Sequence, residues 1–542
     1  MKTELHRILR LLPFIIVSLV VVYAVRWLFL PGFMPTHDGE YHIIRFHEFE
    51  TMLKNGYIFP RWAPNLNSGY GVPLFNFFYP FPNYVGTFYH MMGLQLTDAF
   101  KLTLASGYII AVFFCFLWLR KLFPLDASLF GTVVFAYFPY WFVDIFVRGS
   151  IGEVLAIAFV LVALYSIESE KGSFLSLSIG LMILSHNILT MIFLPFLLCY
   201  SLVRCRNKKI SITRIGIGIG LATYFWLPAL SERGYVTGLN TVNFRDHFPL
   251  LAQLLVPSWG TGLSGAGYDL TEMSYQIGLV PLLVMLIGIY FIFNEIHLIR
   301  KKLLIIAYIL LGIIFYLMLS VSSFFWKVFA LLQLLQYPWR LLSLVLPLTA
   351  LISSYIATKL RNYITISIAV IAILLTIQYT RPVTYEPRLD SYYLSRINFT
   401  DGTSSLGNGF STIWSPWKDR RPLKKLENLS GDMNVKIIRE KPLEYLYQAS
   451  ADSEGLVRLN VLYYPGWNVY IDGILTPIDF TRDGTITFLI PKGSHMLKVV
   501  WQETFIRKIA DFISVICFVY LIGSGILRIS YAYRNRHITT VK

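Results

Sequence analysis

Apolar stretches of about twenty residues recur along the chain, separated by short polar turns. A run of that length is what an α-helix needs to cross a hydrocarbon core of about 30 Å. Twelve such spans are predicted, at 11–30, 102–119, 127–143, 154–168, 174–187, 188–203, 212–230, 276–293, 303–320, 341–358, 362–380 and 509–527. Long loops at 31–101 and 231–275 interrupt them, and residues 381–508 read as a separate polar module. The second half of that module, "GLVRLNVLYYPGWNVYIDG", alternates apolar and polar residues, and Asp472-Gly473 and Asp483-Gly484 are hairpin-type dipeptides. The expected fold is a mainly α polytopic membrane protein of about 12 transmembrane helices, with a small extracytoplasmic β-sandwich before the last helix. The expected divisions are 1–380, 381–508 and 509–542.

Composition agrees with this pattern. Only 14% of the 542 residues are charged and 55% are hydrophobic, whereas soluble domains carry roughly a quarter charged residues. The first run follows Lys2, Arg7 and Arg10. It is too long for a signal-peptide core, and no small-residue cleavage site follows in "LPGFMP", so it reads as a retained first helix. The four cysteines show no C-x-x-C spacing, which supports neither a zinc site nor a disulfide framework. The net charge of +16 suggests nucleic acid, but its distribution points elsewhere. With the N-terminus cytoplasmic, 20 Lys and Arg fall in the short inner segments, and about nine lie in the longer outer loops before residue 381. That is the positive-inside bias. It places both termini in the cytoplasm and argues against nucleic acid as a partner.

The candidate chemistry starts at "MPTHDGEYHIIRF", residues 34–46, where the first span ends on the outer side. If a helix begins there, Asp38, His42 and Arg45 stand at i, i+4 and i+7 on one face, with Glu40 and His47 on a neighbouring one. A carboxylate beside an imidazole and a guanidinium suits general-base work on a hydroxyl next to an anion. The plainer reading makes Asp38 a helix N-cap, which leaves His42 and Arg45 unexplained. A divalent metal held by Asp38 and His42 is the third possibility.

The predicted topology brings other polar residues to the same level. Arg148 and Glu153 in "VRGSIGEV" are either a structural ion pair or substrate ligands. His186 and Asn187 in "LSHN" are either internal hydrogen-bonding groups or part of a site. Arg340 in "QYPWR" either snorkels to the interface or holds a phosphate in its fork. Arg61, in the aromatic first outer loop, is a further candidate for substrate binding. That loop's Pro, Gly, Tyr and Phe content suits short helices and turns lying in the membrane interface.

At these residues the chain resembles a known family. "HDGEYHIIRF", "FPRWAPNLNSGYGVPLFNFFYPFPNYV", "FPYWFVDIFVRGSIGEVLA", "LSHN" and "LQYPWRLL" are similar, in order over about 350 residues, to bacterial and archaeal membrane proteins labelled 6-pyruvoyl-tetrahydropterin synthase-related, membrane domain. The C-terminal "YYPGWNVYIDG" and "IPKGSHMLKVVW" resemble the outer domain of YfhO-type membrane proteins. Pterin chemistry has no counterpart in these residues. The resemblance implies a GT-C-like glycosyltransferase of a prokaryotic cell membrane, using a polyprenyl-phosphate sugar donor, with Asp38-Gly39-Glu40 as the acidic motif and Asp38 in the catalytic position. Some such enzymes carry paired acids; here a His follows the Asp by four residues, which leaves the role of Glu40 and any metal requirement open.

The reading that follows is sugar transfer at the outer face from a polyprenyl phosphate to a hydroxyl of an envelope glycan, lipid or protein. Asp38 acts as base, assisted by His42 and Glu40. Arg45, Arg61, Arg148, Glu153, His186, Asn187 and Arg340 bind substrate. The rival is a flippase for a lipid-linked glycan. Transporters tend to show internal repeats and broken helices at mid-membrane; no clear repeat is visible here, and the polar residues gather at one face.

Overall fold

The computed structural model describes residues 2–238, 242–265, 271–395 and 409–539. From the N-terminus, α1 (Lys2–Val25) leads into a stretch carrying α2 (Gly39–Lys54) and α3 (Phe81–Met91). Helices α4 (Leu96–Leu122) and α5 (Leu125–Ala136) follow, then the short α6 (Pro139–Phe142), which continues as a π-helix over Val143–Arg148. The first half closes with α7 (Ile151–Glu168), α8 (Gly172–Ser185), α9 (Asn187–Arg204), α10 (Lys208–Leu221) and α11 (Thr223–Ser231). The second long loop holds α12 (Leu251–Leu255), before α13 (Leu279–Phe293) and α14 (Leu298–Met318). Two short helices, α15 (Ser323–Val328) and α16 (Ala330–Gln333), precede α17 (Leu342–Ala357) and α18 (Asn362–Thr376). A single turn, α19 (Asp390–Leu394), follows, and α20 (Phe505–Thr539) ends the described chain.

Eight of the described helices are long and apolar enough to cross a bilayer. Two bent pairs, Leu125–Ala136 with Pro139–Arg148 (44°) and Lys208–Leu221 with Thr223–Ser231 (66°), bring the number to ten. The expected twelve are therefore not all met. The remaining two segments, α8 and α13, have 14 and 15 residues, roughly 21–23 Å of helix against the ~30 Å of a bilayer core. Hydropathy counted flanking residues that the backbone excludes: Gly278, at φ 90°, delays the start of α13.

Outside the bundle lie eight antiparallel strands: β1 (Leu426–Ser430), β2 (Met433–Lys441), β3 (Glu444–Ala451), β4 (Gly455–Leu462), β5 (Trp467–Ile471), β6 (Ile474–Thr476), β7 (Thr485–Ile490) and β8 (Gly493–Trp501). They form two sheets, in the orders β1-β4-β7 and β2-β3-β8-β5-β6. Their inward residues, among them Val457, Leu459, Val469, Phe488 and Val499, share one core. Asp472-Gly473 joins β5 to β6 with both residues at positive φ (51° and 83°), the conformation a two-residue hairpin needs. Asp483-Gly484 instead closes a longer loop ahead of β7.

Helix α2 connects the two parts. Its Ile43 and Phe46 belong to the bundle core, while Ile44, Phe49 and Met52 belong to the core of the sheets. A helix apolar on two faces is buried between two bodies. Helix α2, expected as a short helix of the first loop, is covered on both sides.

Candidate functional site

The 33–40 loop is seated on the turn that follows the π-helix. His37 and Asp38 donate their backbone N–H groups to the carbonyls of Val147 and Arg148, each at 3.0 Å, using carbonyls that a helix end leaves unsatisfied. Two glycines of "RGSIG" make room. Gly149 adopts the left-handed conformation (φ 66°), and a Cβ there would strike Thr36 and Phe100; a Cβ on Gly152 would strike the ring of Tyr79.

Asp38 occupies the N-cap position of α2, yet its side chain makes no cap hydrogen bond. The carboxylate is half-buried and has no hydrogen-bond or ion-pair partner among the described residues. One turn on, His42 and Arg45 are buried, at 1% and 6% exposure. Arg45 donates through Nη1 to His42 Nδ1 at 3.3 Å, and its guanidinium lies over the Phe78 ring at 3.8 Å. Burial, the Arg45 charge and His186 all push the His42 pKa well below its usual value, so the ring is neutral. With Nδ1 accepting, Nε2 carries the proton, and this buried N–H has no partner among the described residues. Burial lowers Arg45 to about 10 against the opposing pull of Tyr79 and Asp38, which leaves it charged at neutral pH.

Arg148 and Glu153 do pair, at 2.7 Å, and Asp144 joins them as a second carboxylate on Arg148. Tyr140 donates to Glu153 at 2.6 Å, and the Trp339 ring covers the guanidinium at 4.7 Å. Arg340 differs. At 8% exposure, it donates only to Leu335 O (3.0 Å) and Gln336 Oε1 (2.9 Å), its Nε has no partner, and no carboxylate pairs with it among the described residues. His186 caps α9 by accepting the Leu189 N–H at 3.2 Å, and its ring stacks on Tyr79 at 5.0 Å. Tyr79 is the common neighbour. Burial drives its hydroxyl pKa up, and Arg45, Asp38, Arg340 and Arg148 all lie close enough to act on it.

Three predicted residues are not brought into this group. Glu40 turns away to an ion pair with Arg388. Arg61 is buried in a separate network, donating to Glu503 (3.0 Å), Asp511 (2.8 Å) and Tyr224 O (3.0 Å). Asn187 Oδ1 accepts from the neighbouring Ile188 N–H at 3.0 Å. Sequence reasoning missed Tyr79, Asp144 and Arg388. Only Asp144 carried a signal, as an acid four residues before Arg148 within an apolar run. A divalent cation fits this arrangement poorly. Asp38 and His42 would supply two ligands, but His42 Nδ1 faces the Arg45 guanidinium, and no group of three or more His, Cys, Asp or Glu clusters among the described residues.

Eight to ten apolar helices and a small sheet unit define an integral membrane protein of many helices. No family model matches the chain. A protein of Lactococcus lactis subsp. cremoris (strain MG1363), described as uncharacterized, is 24% identical over 241 residues, 40% of this chain and 39% of that one. Among solved structures, the chain is similar to the arabinofuranosyltransferase AftD from Mycobacteria (TM-score 0.48, 13% identity, 71% of this chain and 28% of that). It is also similar to the Archaeoglobus fulgidus oligosaccharyltransferase in its apo form (TM-score 0.39, 14% identity, 73% and 56%). The chain spans well under two thirds of each of these proteins.

Proposed function

We propose that the protein is a membrane glycosyltransferase that moves a sugar from a polyprenyl-phosphate donor to a hydroxyl acceptor at the outer face of a prokaryotic cell membrane. The observation that supports this most is the presence, around Tyr79, of a buried guanidinium (Arg340) that meets no carboxylate, and a carboxylate (Asp38) that meets no partner, among the described residues. A buried charge is costly unless an opposite charge meets it. A phosphate ester meets Arg340 in the geometry a guanidinium prefers, and it leaves Asp38 facing the anomeric carbon.

Asp38 takes the proton of the acceptor hydroxyl as that oxygen bonds to the anomeric carbon. The bond from that carbon to the phosphate oxygen breaks, and polyprenyl phosphate leaves with its charge beside Arg340. One carboxylate at the reacting centre suits direct displacement with inversion. The neutral His42, with its free N–H, donates to a substrate oxygen rather than acting as a base. Arg148, held by Asp144 and Glu153, fixes the wall on which Trp339 and Tyr79 sit. No step requires a metal.

Purified protein in lipid nanodiscs, given a radiolabelled polyprenyl-phosphate sugar and a glycan acceptor, is expected to form a glycosidic bond. Movement of the lipid-linked glycan across a vesicle bilayer with no bond formed would replace this reading with the flippase one.

A further inference from the structure

Glu40 was expected beside the reacting atoms, and its position suggests another task. The stretch 385–394 lies along the far side of the 33–40 loop as a strap. Phe33 and Glu386 exchange both backbone hydrogen bonds, at 2.7 and 2.8 Å. Arg388 then reaches across to Glu40 and back to Glu386, with its guanidinium over the Phe33 ring (4.8 Å) and the Tyr392 ring (4.6 Å). Two residues on, Asp390 anchors the strap to the bundle. It accepts the Leu96 N–H that opens α4 at 2.7 Å and contacts His90 Nε2 at 3.1 Å, while its own N–H donates to Gln95 at 3.0 Å.

The loop is thus held from two sides. The carbonyls of Val147 and Arg148 hold its backbone at His37 and Asp38, and the strap holds Phe33 and Glu40. Asp38 lies between these points, its side chain makes no cap hydrogen bond, and no other hydrogen bond fixes its carboxylate among the described residues. Its location therefore depends on the backbone at residues 37–40, and the Glu40 end of that backbone depends on Arg388.

We infer that Arg388 and Glu40 are a pair of positioning residues, a latch through which the 385–394 strap sets where the Asp38 carboxylate stands. This rests on the transferase reading for its kinetic consequence. As positioning residues the pair acts on turnover and not on donor binding, which Arg340 supports. Displacing a reacting group by about an ångström costs of the order of a hundredfold in rate, and a freed loop samples displacements of that size.

The test compares Arg388→Gln, Glu40→Gln, their double variant and Arg388→Lys as full-length protein in nanodiscs. Each Gln variant is expected to lose about tenfold or more in kcat with donor KM within about twofold of wild type. The double variant loses no more than Arg388→Gln alone, because Glu40→Gln removes a link that Arg388→Gln has already broken. Arg388→Lys, which keeps a charge for Glu40, regains most of the loss. Unchanged kcat in both single variants, additive losses in the double, or a loss carried by KM would each overturn the latch.

A second readout separates this inference from the transferase reading. Amide hydrogen exchange at residues 37–42 is expected to quicken in Arg388→Gln and to remain slow in Arg388→Lys, whether or not any sugar is transferred. Exchange at wild-type rates in Arg388→Gln would sink the latch while leaving the proposed function standing. Absence of transfer by the wild type, with exchange quickened as expected, would sink the proposed function and leave the latch.

Discussion

Two buried arginines near Tyr79 differ in what surrounds them, and that difference predicts different failures. Arg148 pairs with both Asp144 and Glu153, which are fully buried. Replacing it with Met strands two carboxylates, and removing one partner of a buried pair costs about 3–5 kcal/mol. Arg148→Met is therefore expected to lower the thermal unfolding midpoint of the detergent-solubilised protein well below wild type. Arg340 has no carboxylate to strand among the described residues. Arg340→Lys keeps the charge but loses the fork, so its expected effect is a rise in donor KM of about tenfold, one phosphate hydrogen bond's worth, with little change in the midpoint. If Arg340→Lys unfolds early and binds donor normally, the division of roles between the two arginines is wrong.

Among the elements, the contact of α2 and α3 with the strap contains a titratable cluster. His90 sits between Glu50 and Asp390, on α2 and the strap, and Lys54 also meets Glu50, at 2.5 Å. Hydrogen bonding to Glu50, against some burial, raises the His90 pKa. Burial opposes the charge of Glu50, but hydrogen bonds from His90 and Lys54 outweigh it and bring the carboxyl down to about 2. A base with a raised pKa stabilises the fold fully below its unfolded value near 6.5, and that support disappears as pH climbs through the folded value. The Glu50 contribution is present above about 4.5 and fades only as pH falls toward 2. The unfolding midpoint of His90→Gln should therefore fall below wild type by more at about pH 5.5 than at about pH 9. An equal gap at both pH values would mean that the cluster contributes packing alone.

How far the sequence could be read also differs by element. Apolar runs located the helices, because their signal is local, and alternation located β4 and β5 for the same reason. Both Asp472-Gly473 and the 34–46 stretch were legible because turn chemistry and helical spacing act within a few residues. Glu40 was not. Spacing put it on the face beside Asp38 and the resemblance made it part of the acidic motif, but its partner Arg388 lies 348 residues away. Tyr79 was one aromatic among many in its loop, and only the approach of Gly152 on α7 marks it out. The start of α13 was placed at 276 rather than 279 because hydropathy does not register the positive-φ Gly278.

Over the whole molecule, a buried acid reinforces the join that α2 makes between the sheet unit and the bundle. Glu232, which follows α11, accepts from Arg507 of α20 (2.9 and 3.2 Å), from Tyr464 beyond β4 (2.9 Å) and from Asn76 of the first loop (2.8 Å). Arg507→Met removes the main counter-charge and is expected to cost about 3 kcal/mol or more. Adding Glu232→Leu should return much of that loss, because an apolar pair can replace a buried ion pair. Thermal unfolding of both variants reads this directly, and failure of the double variant to recover would show that Tyr464 and Asn76 depend on the acid itself. The predicted spans brought Asp38, Arg148, His186 and Arg340 to one level, but their gathering around Tyr79 was not legible in the sequence. Wedging of α2 between bundle and sheets brings Asp38 to the ends of α7, α9 and α17, and that wedge is a tertiary fact.

The central claim is that Asp38 is the base of a sugar transfer. Radiolabelled transfer from a polyprenyl-phosphate donor, measured for wild type and Asp38→Asn of equal thermal stability in nanodiscs, tests it most directly. Transfer by the wild type is expected, with a loss of about a hundredfold or more in Asp38→Asn, the size of a general-base contribution. Transfer by Asp38→Asn at close to the wild-type rate would contradict it.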